Sequence, residues 1–558
     1  MVGVLKKIFT KETAGLHQAA FLLGAFALLS QLLALIRDKL LAASFGGSGM
    51  LDTYYAAFRI PDFLFVTLGS VVSLTILIPF LAAVYHRGEK ETRVFIDSIF
   101  TVFLISIVFV SVIIFFSTSF LVKYLFPGFT IIQAEEVVSL TRILLASPIL
   151  LGISNLFGSL TQSKGRFFVY AISPIFYNAG IIFGVLALSP KLGLSGLAYG
   201  VILGACMHML VQIPSVLHLN LFPRFIVNPD FEAIKKVLGA SVPRTITLSL
   251  SHIAVFFLLA IASLMSSGSI TVFSFAFNIQ SVPLSIFGVS YSLAAFPALS
   301  KLFASGEKEL FVSKILSSAQ HIAFWAIPCS VFFIVLRAHL VRLVLGAGQF
   351  SWNDTKLTAA LLALFSISLV FQCFILLFVR ALYASGASGK PLAISIVSGA
   401  TTVLSSFIFY YLFEYVPQFR FFFESIFSLA DVPGSEAMML ALGFTVGSIL
   451  DSGLLWLLAA KEWKGFSKPL FTSIYRITAS SIIGGFFSYS TLYILGLYYS
   501  LETFLEVLSQ MLVAALVGVI VFVCLMILLK AEELWQITSL FKRKFMTSST
   551  VSPDAELL

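Results

Sequence analysis

Apolar stretches of about 20 residues or more recur along the whole chain, separated by short polar loops. An α-helix needs a run of that length to cross the roughly 30 Å hydrocarbon core of a bilayer. A helix also satisfies its own backbone there, which irregular chain does not. Fourteen such stretches can be marked, at 17–43, 52–85, 94–124, 134–162, 166–189, 193–217, 238–265, 268–300, 315–346, 355–385, 391–414, 436–460, 469–497 and 503–530. The expected fold class is an all-α polytopic membrane protein with about 14 transmembrane helices. The first run passes a weak A-x-A match at Ala25-Phe26-Ala27, continues to about Leu41 and holds Arg37 and Asp38. It therefore reads as a span rather than a cleaved signal peptide.

Composition agrees: of 558 residues 59% are hydrophobic and only 11% charged, which excludes an ordinary soluble protein. The net charge of +9 does not point to nucleic acid, because the basic residues cluster in short loops. Alternate loops hold 22 lysines and arginines and the intervening set only 6, which places both termini in the cytoplasm. Residues 415–435 then form the longest external loop, with a Phe-rich middle that suits an interfacial helix. The polar tail 545–558 is expected to be disordered.

An internal repeat is visible. Asp52–Leu74 aligns with Thr271–Leu293 at an offset of 219, with identities at Ala57/Ala276, Phe58/Phe277, Ile60/Ile279, Gly69/Gly288, Ser73/Ser292 and Leu74/Leu293. An even number of spans lies between the copies, so they share an orientation. Parallel repeats of this kind mark transporters with two similar lobes and a site at the midplane.

The candidate chemistry concentrates between Ser30 and Pro79, an apolar stretch that carries Arg37, Asp38, Lys39, Asp52, Arg59 and Asp62. A charge at membrane depth costs about 2.5–3.5 kcal/mol on insertion scales, and such charges tend to line a cavity or substrate path. Arg37–Asp38 and Arg59/Asp62 read either as ion pairs that satisfy each other or as one wall of a cationic cavity for an anionic headgroup, since arginine binds phosphate bidentately and keeps its charge. Arg244 opens the second lobe; Arg142 and Arg380 read equally as cavity residues or as side chains snorkelling to an interface. Asp451 is an isolated acid in an apolar run, suited either to a coupling cation or proton or to a neutral hydrogen bond with a neighbouring helix.

Other chemistries find no support. Cys206, Cys329, Cys373 and Cys524 sit in apolar stretches without CxxC spacing. GASGKP at Gly386–Pro391 lacks the spacing of a P-loop. The seven histidines show no metal-ligand spacing, and there is no nucleophile elbow. Neither an embedded hydrolase nor an ATP-driven pump is supported, and no cofactor, metal or catalytic residue is expected.

SQLLALIRDKLLAASFG with LDTYYAAFRIPDFL, ISPIFYNAGIIFG, FNIQSVPLSIFGVSYSLAAFPALSK and RALYASGASGKP resemble spans one and two, five, eight and ten of the MurJ/MviN family of lipid II flippases. The resemblance covers roughly 17–400. It implies two six-helix lobes around a central cationic cavity, alternating access, and a groove at spans thirteen and fourteen for a polyprenyl tail. It carries Ser30, Arg37, Asp38, Asp52 and Arg59 over as substrate-binding positions. Where many members have basic or acidic residues, this chain has Gln31, Phe65, Val66 and Ser70, and Asn278 stands at the arginine position of span eight. A less basic cavity is implied.

The expected domains are a cytoplasmic segment 1–16, a first lobe 17–217, a linker 218–237, a second lobe 238–460, spans thirteen and fourteen at 461–530, and a cytoplasmic tail 531–558. The expected function is a flippase for a polyprenyl-pyrophosphate-linked precursor, lipid II first. The alternatives are a flippase for another polyprenyl-linked glycan and a non-transporting membrane scaffold. Partners are the lipid-linked precursor and membrane lipids, the chain being a monomer in a bacterial cytoplasmic membrane. The expected site is Ser30, Arg37, Asp38, Asp52, Arg59, Arg244 and Asn278.

Overall fold

A computed structural model describes residues 16–69, 72–387, 389–430, 432–463, 465–499 and 503–535. The segment 1–15, the tail from 536 and the side chain of Arg244 lie outside the described residues. Among the described residues every regular element is helical. A helix or a run of helices stands at each of the fourteen expected spans. Eleven are long and apolar enough to cross a membrane by themselves. That count covers the described residues, and spans one and seven each include side chains outside them. Span one, Leu16–Phe45, contains Arg37, Asp38 and Lys39. Span seven, Phe231–Ser263, begins well before the expected boundary, with an amphipathic first turn capped by Asp230.

Span two is broken into Gly49–Ala57, Arg59–Gly69 and Leu74–Tyr85. The first break has a local cause. Pro61 has no N–H and its ring crowds the carbonyl four residues back, that of Ala57. The released carbonyl is not left bare: the Thr141 hydroxyl donates to it at 3.2 Å inside the protein. Span eight is interrupted too, by a π segment Leu284–Val289 that follows Pro283. At the repeat offset this segment corresponds to 65–70, where the second piece of span two ends. In span two positions 65–69 are regular helix, so the two copies are interrupted at neighbouring rather than equivalent positions.

By compactness the chain divides into two units: 1–279 with 344–361 and 388–447, and 280–343 with 362–387 and 448–558. Inside the first unit, Leu77, Leu81, Phe95, Ile99, Leu156 and Val237 belong to one buried cluster joining spans two, three, four and seven. Spans five and six approach through glycine, with Gly180 and Gly184 against Gly204 and Gly200. In a membrane, where hydrophobicity gives no preference for helix over lipid, such close backbone approach is a main source of association. In the second unit, spans thirteen and fourteen meet at Gly484 and Gly518, and the Thr503–Glu506 capping box fixes the start of the last span.

Candidate functional site

Two polar assemblies occupy the first unit. The deeper one starts at Arg37. Its Nε and Nη2 donate to Asp38 Oδ1 at 2.9 and 2.8 Å. The other carboxylate oxygen of Asp38 accepts from Asn278 Nδ2 at 3.0 Å. Arg37 Nη1 donates to Asn178 Oδ1 at 3.3 Å, and Asn178 Nδ2 donates to Ser30 Oγ at 3.2 Å. Spans one, five and eight thus share one hydrogen-bonded cluster. Asp38 is 2% exposed, so its charge has almost no contact with solvent. A carboxylate at that depth is stable only with charged and neutral donors on its oxygens.

Arg59 behaves differently. The i, i+3 ion pair with Asp62, one of the two readings of the sequence, does not form: no nitrogen of Arg59 lies within ion-pair distance of a carboxylate among the described residues. Its buried Nε has no hydrogen-bond partner. A guanidinium carries five donors in a rigid fork, and this one leaves them unused. Tyr55 is within electrostatic reach of both Arg37 and Arg59 and its buried hydroxyl also lacks a partner, so the two arginines belong to one neighbourhood. The repeat offset pairs Arg59 with Asn278. One copy thus keeps a cation at this position and the other has an amide, which binds Asp38.

The second assembly is at the end of the unit that the loop charges lead one to expect outside. Here Asp52 sits apart from the arginines. It is 4% exposed and caps span eight. Oδ2 accepts from the Gly268 N–H at 2.6 Å, and Oδ1 accepts from the Thr271 N–H at 2.8 Å and the Thr271 hydroxyl at 2.7 Å. A carboxylate satisfies orphan N–H groups at a helix start and complements the positive end of the dipole. Gly268 has φ +95°, and a Cβ there would run into the Gly47 carbonyl, so only glycine lets the turn come this close. Asp52 and Thr271 are the paired first positions of the repeat; equivalent positions touch each other only near a symmetry axis. Neighbouring loops add Gln349 N–H to Ala43 O at 2.9 Å, Ser266 N–H to Glu436 Oε1 at 2.9 Å and Gly128 N–H to Ser263 Oγ at 3.3 Å. These bonds tie the loops at this end of the unit to one another.

The structure therefore brings Ser30, Arg37, Asp38 and Asn278 together, puts Arg59 nearby and places Asp52 in a different assembly. Arg142 is elsewhere, on the span-three seam, donating to the Phe115 carbonyl at 3.2 Å and lying over its ring. Arg380 binds Ser292 and the Val289 carbonyl within the second unit. Asn178 is the residue that inspection of charges alone misses. Its signal was an amide inside the otherwise apolar ISPIFYNAGIIFG.

The family model described as lipid II flippase MurJ matches residues 41–512. The lipid II flippase MurJ of Burkholderia cenocepacia is 26% identical over 404 residues, 71% of this chain and 78% of that protein. The probable lipid II flippase MurJ of Thermotoga maritima is 26% identical over 390 residues, 69% of this chain and 77% of that one. A solved structure of the lipid II flippase MurJ in an inward closed conformation superposes with a TM-score of 0.72 at 20% identity, covering 94% of this chain and 100% of the other. A multidrug resistance MATE family transporter of the MOP superfamily, in an inward-facing conformation, superposes at 0.63 with 16% identity, covering 79% and 96%. At these identities the superpositions speak for the fold.

Proposed function

Because the chain belongs to the lipid II flippase MurJ family, whose model spans residues 41–512, we propose that it moves lipid II from the inner to the outer leaflet by alternating access. The observation that carries the site assignment is Arg59: a half-buried guanidinium whose buried Nε has no partner and which has no carboxylate beside it, next to a second arginine whose charge is already matched by Asp38. A pyrophosphate carries about two to three negative charges, and an isolated charge in a low dielectric costs many kcal/mol. A carrier must replace its water with fixed donors, and arginine supplies these without losing its proton. Arg59 is the first contact in this reading; Arg37 becomes available as Asp38 shifts its hydrogen bonds to Asn278. Arg244 completes the basic set.

The lobes in this reading are 17–217 and 238–460, with 461–530 taking the polyprenyl tail while the headgroup crosses. Both termini face the cytoplasm, the membrane is the bacterial cytoplasmic membrane, and the chain works as a monomer. Closure at Asp52, Gly268 and Thr271 is the barrier that opens outward. The protein is a transporter, and no step of catalysis is assigned to it. In a strain that depends on this chain, depletion should make lipid-linked precursor accumulate in the inner leaflet, and Arg59→Ala should reproduce that accumulation at normal protein level. Normal precursor distribution with Arg59→Ala would remove Arg59 from the path.

A second reading is a flippase for a different polyprenyl-linked glycan. It is favoured by Gln31, Phe65 and Asn278 at positions that resemble basic ones in the family. Comparing which lipid-linked precursor accumulates on depletion separates the two.

A further inference from the structure

The helix Pro417–Phe427 lies outside the span pattern, and no residue of it is buried. It starts two residues after span eleven, Gly389–Tyr415, ends, so its depth is fixed at the mouth of that span. One side packs on the span: Phe419 stacks on Phe409 with centroids 6.3 Å apart, and Arg420 lies over the Phe413 ring. Beside that contact the helix leaves an apolar face exposed, with Phe421 72% exposed and Phe422 and Ile426 next to it. Full exposure of this face to water would forgo about 1.5–3 kcal/mol per side chain. The surface it continues is the exposed flank of span eleven, where Tyr411 and Tyr415 stand one turn apart at the span end. Tyrosines there mark the headgroup level of a bilayer. The helix has one basic and one acidic residue, Arg420 and Glu424, and they pair with each other. It therefore needs an apolar boundary rather than an anionic surface.

Its polar side is tied to the loops around Gly268. Glu424 Oε1 accepts from Arg420 Nε at 2.9 Å and from the Ser435 hydroxyl at 2.8 Å. The next residue, Glu436, accepts the Ser266 N–H, two residues before the Gly268 that Asp52 holds. We propose that Pro417–Phe427 is an interfacial anchor. Its Phe421, Phe422 and Ile426 face lies in the lipid of the outer leaflet, and through Glu424 and Ser435 it holds the 433–436 turn against the outer closure. Assignment to the outer leaflet rests on the topology proposed above; contact with lipid does not.

The test uses the full chain with its four cysteines replaced, in phosphatidylcholine nanodiscs, spin-labelled at Phe422→Cys, with Asn353→Cys as the aqueous reference. At Phe422→Cys, collisions with oxygen should exceed those with a water-soluble nickel chelate, and chelate access should fall at least about threefold below the reference. Equal chelate access at the two sites, or exclusion of both colliders, would overturn lipid contact. Both disc faces are open to colliders, so this result is independent of orientation and of transport. For the brace, Glu424→Ala should raise maleimide labelling of Ser267→Cys about threefold while the depth at Phe422→Cys stays the same. An unchanged rate overturns the brace.

Discussion

Arg37 and Asp38 are adjacent in the sequence, and their pairing at 2.8 Å could be read from it directly. Their other partners could not. Asn278 is 240 residues from Asp38, and only the packing of span eight against span one brings them together. Asn178 is a single amide in an apolar helix, and such a residue looks the same in sequence whether it faces a cavity or a neighbour. Arg37→Ala should abolish transport while the chain still inserts and folds, read as loss of growth in a dependent strain at unchanged membrane level. Arg37→Lys should retain part of the function, because the charge stays and only the fork geometry goes. Asp52 was legible as a charge at a span end, but its role as a cap was not, since the N–H groups it serves lie 216 and 219 residues further along the chain. Asp52→Ala removes three hydrogen bonds to a carboxylate, each worth about 1.5–3 kcal/mol in a buried setting. It should shift the population towards an open outer end, seen as faster maleimide labelling of Ser267→Cys from outside.

Hydropathy located the elements well wherever charge was absent. At spans one and two Arg37, Asp38 and Lys39 and the break at Pro61 interrupt the apolar pattern. These are the two spans that carry most of the candidate site, because a site inside a membrane needs the polar groups and exposed carbonyls that an ordinary span avoids. The close seam between spans five and six was present in the sequence as glycines four apart, at 180 and 184 and at 196, 200 and 204. Gly204→Leu should wedge the span-five backbone at Tyr177 apart and cost about 1–3 kcal/mol. A lowered unfolding temperature in detergent would check it, with Gly239→Leu, which has open space at its Cβ position, as the unaffected control.

For the whole molecule, the repeat carried more information than its six identities suggested. It aligned Asp52 with Thr271, which touch. By compactness spans seven and eleven and the first parts of spans eight, ten and twelve fall with the first unit. Sequence order cannot show which ends of the helices pack together in a given state of a transporter. The orientation is testable by cysteine labelling: Lys191→Cys and Lys356→Cys should react from outside, and Lys164→Cys and Lys308→Cys only from inside.

The central claim is that this chain moves a pyrophosphate-linked lipid across a bilayer with an arginine-lined path. The most direct measurement is flipping of fluorescent lipid II in proteoliposomes, read as the fraction of label lost to a membrane-impermeant quencher. Vesicles holding the native chain should expose label from both leaflets, and those holding Arg59→Ala or Arg37→Ala should stop near the one-leaflet level of about half. Native vesicles that stop at the one-leaflet level, or arginine variants that match the native chain, would contradict it.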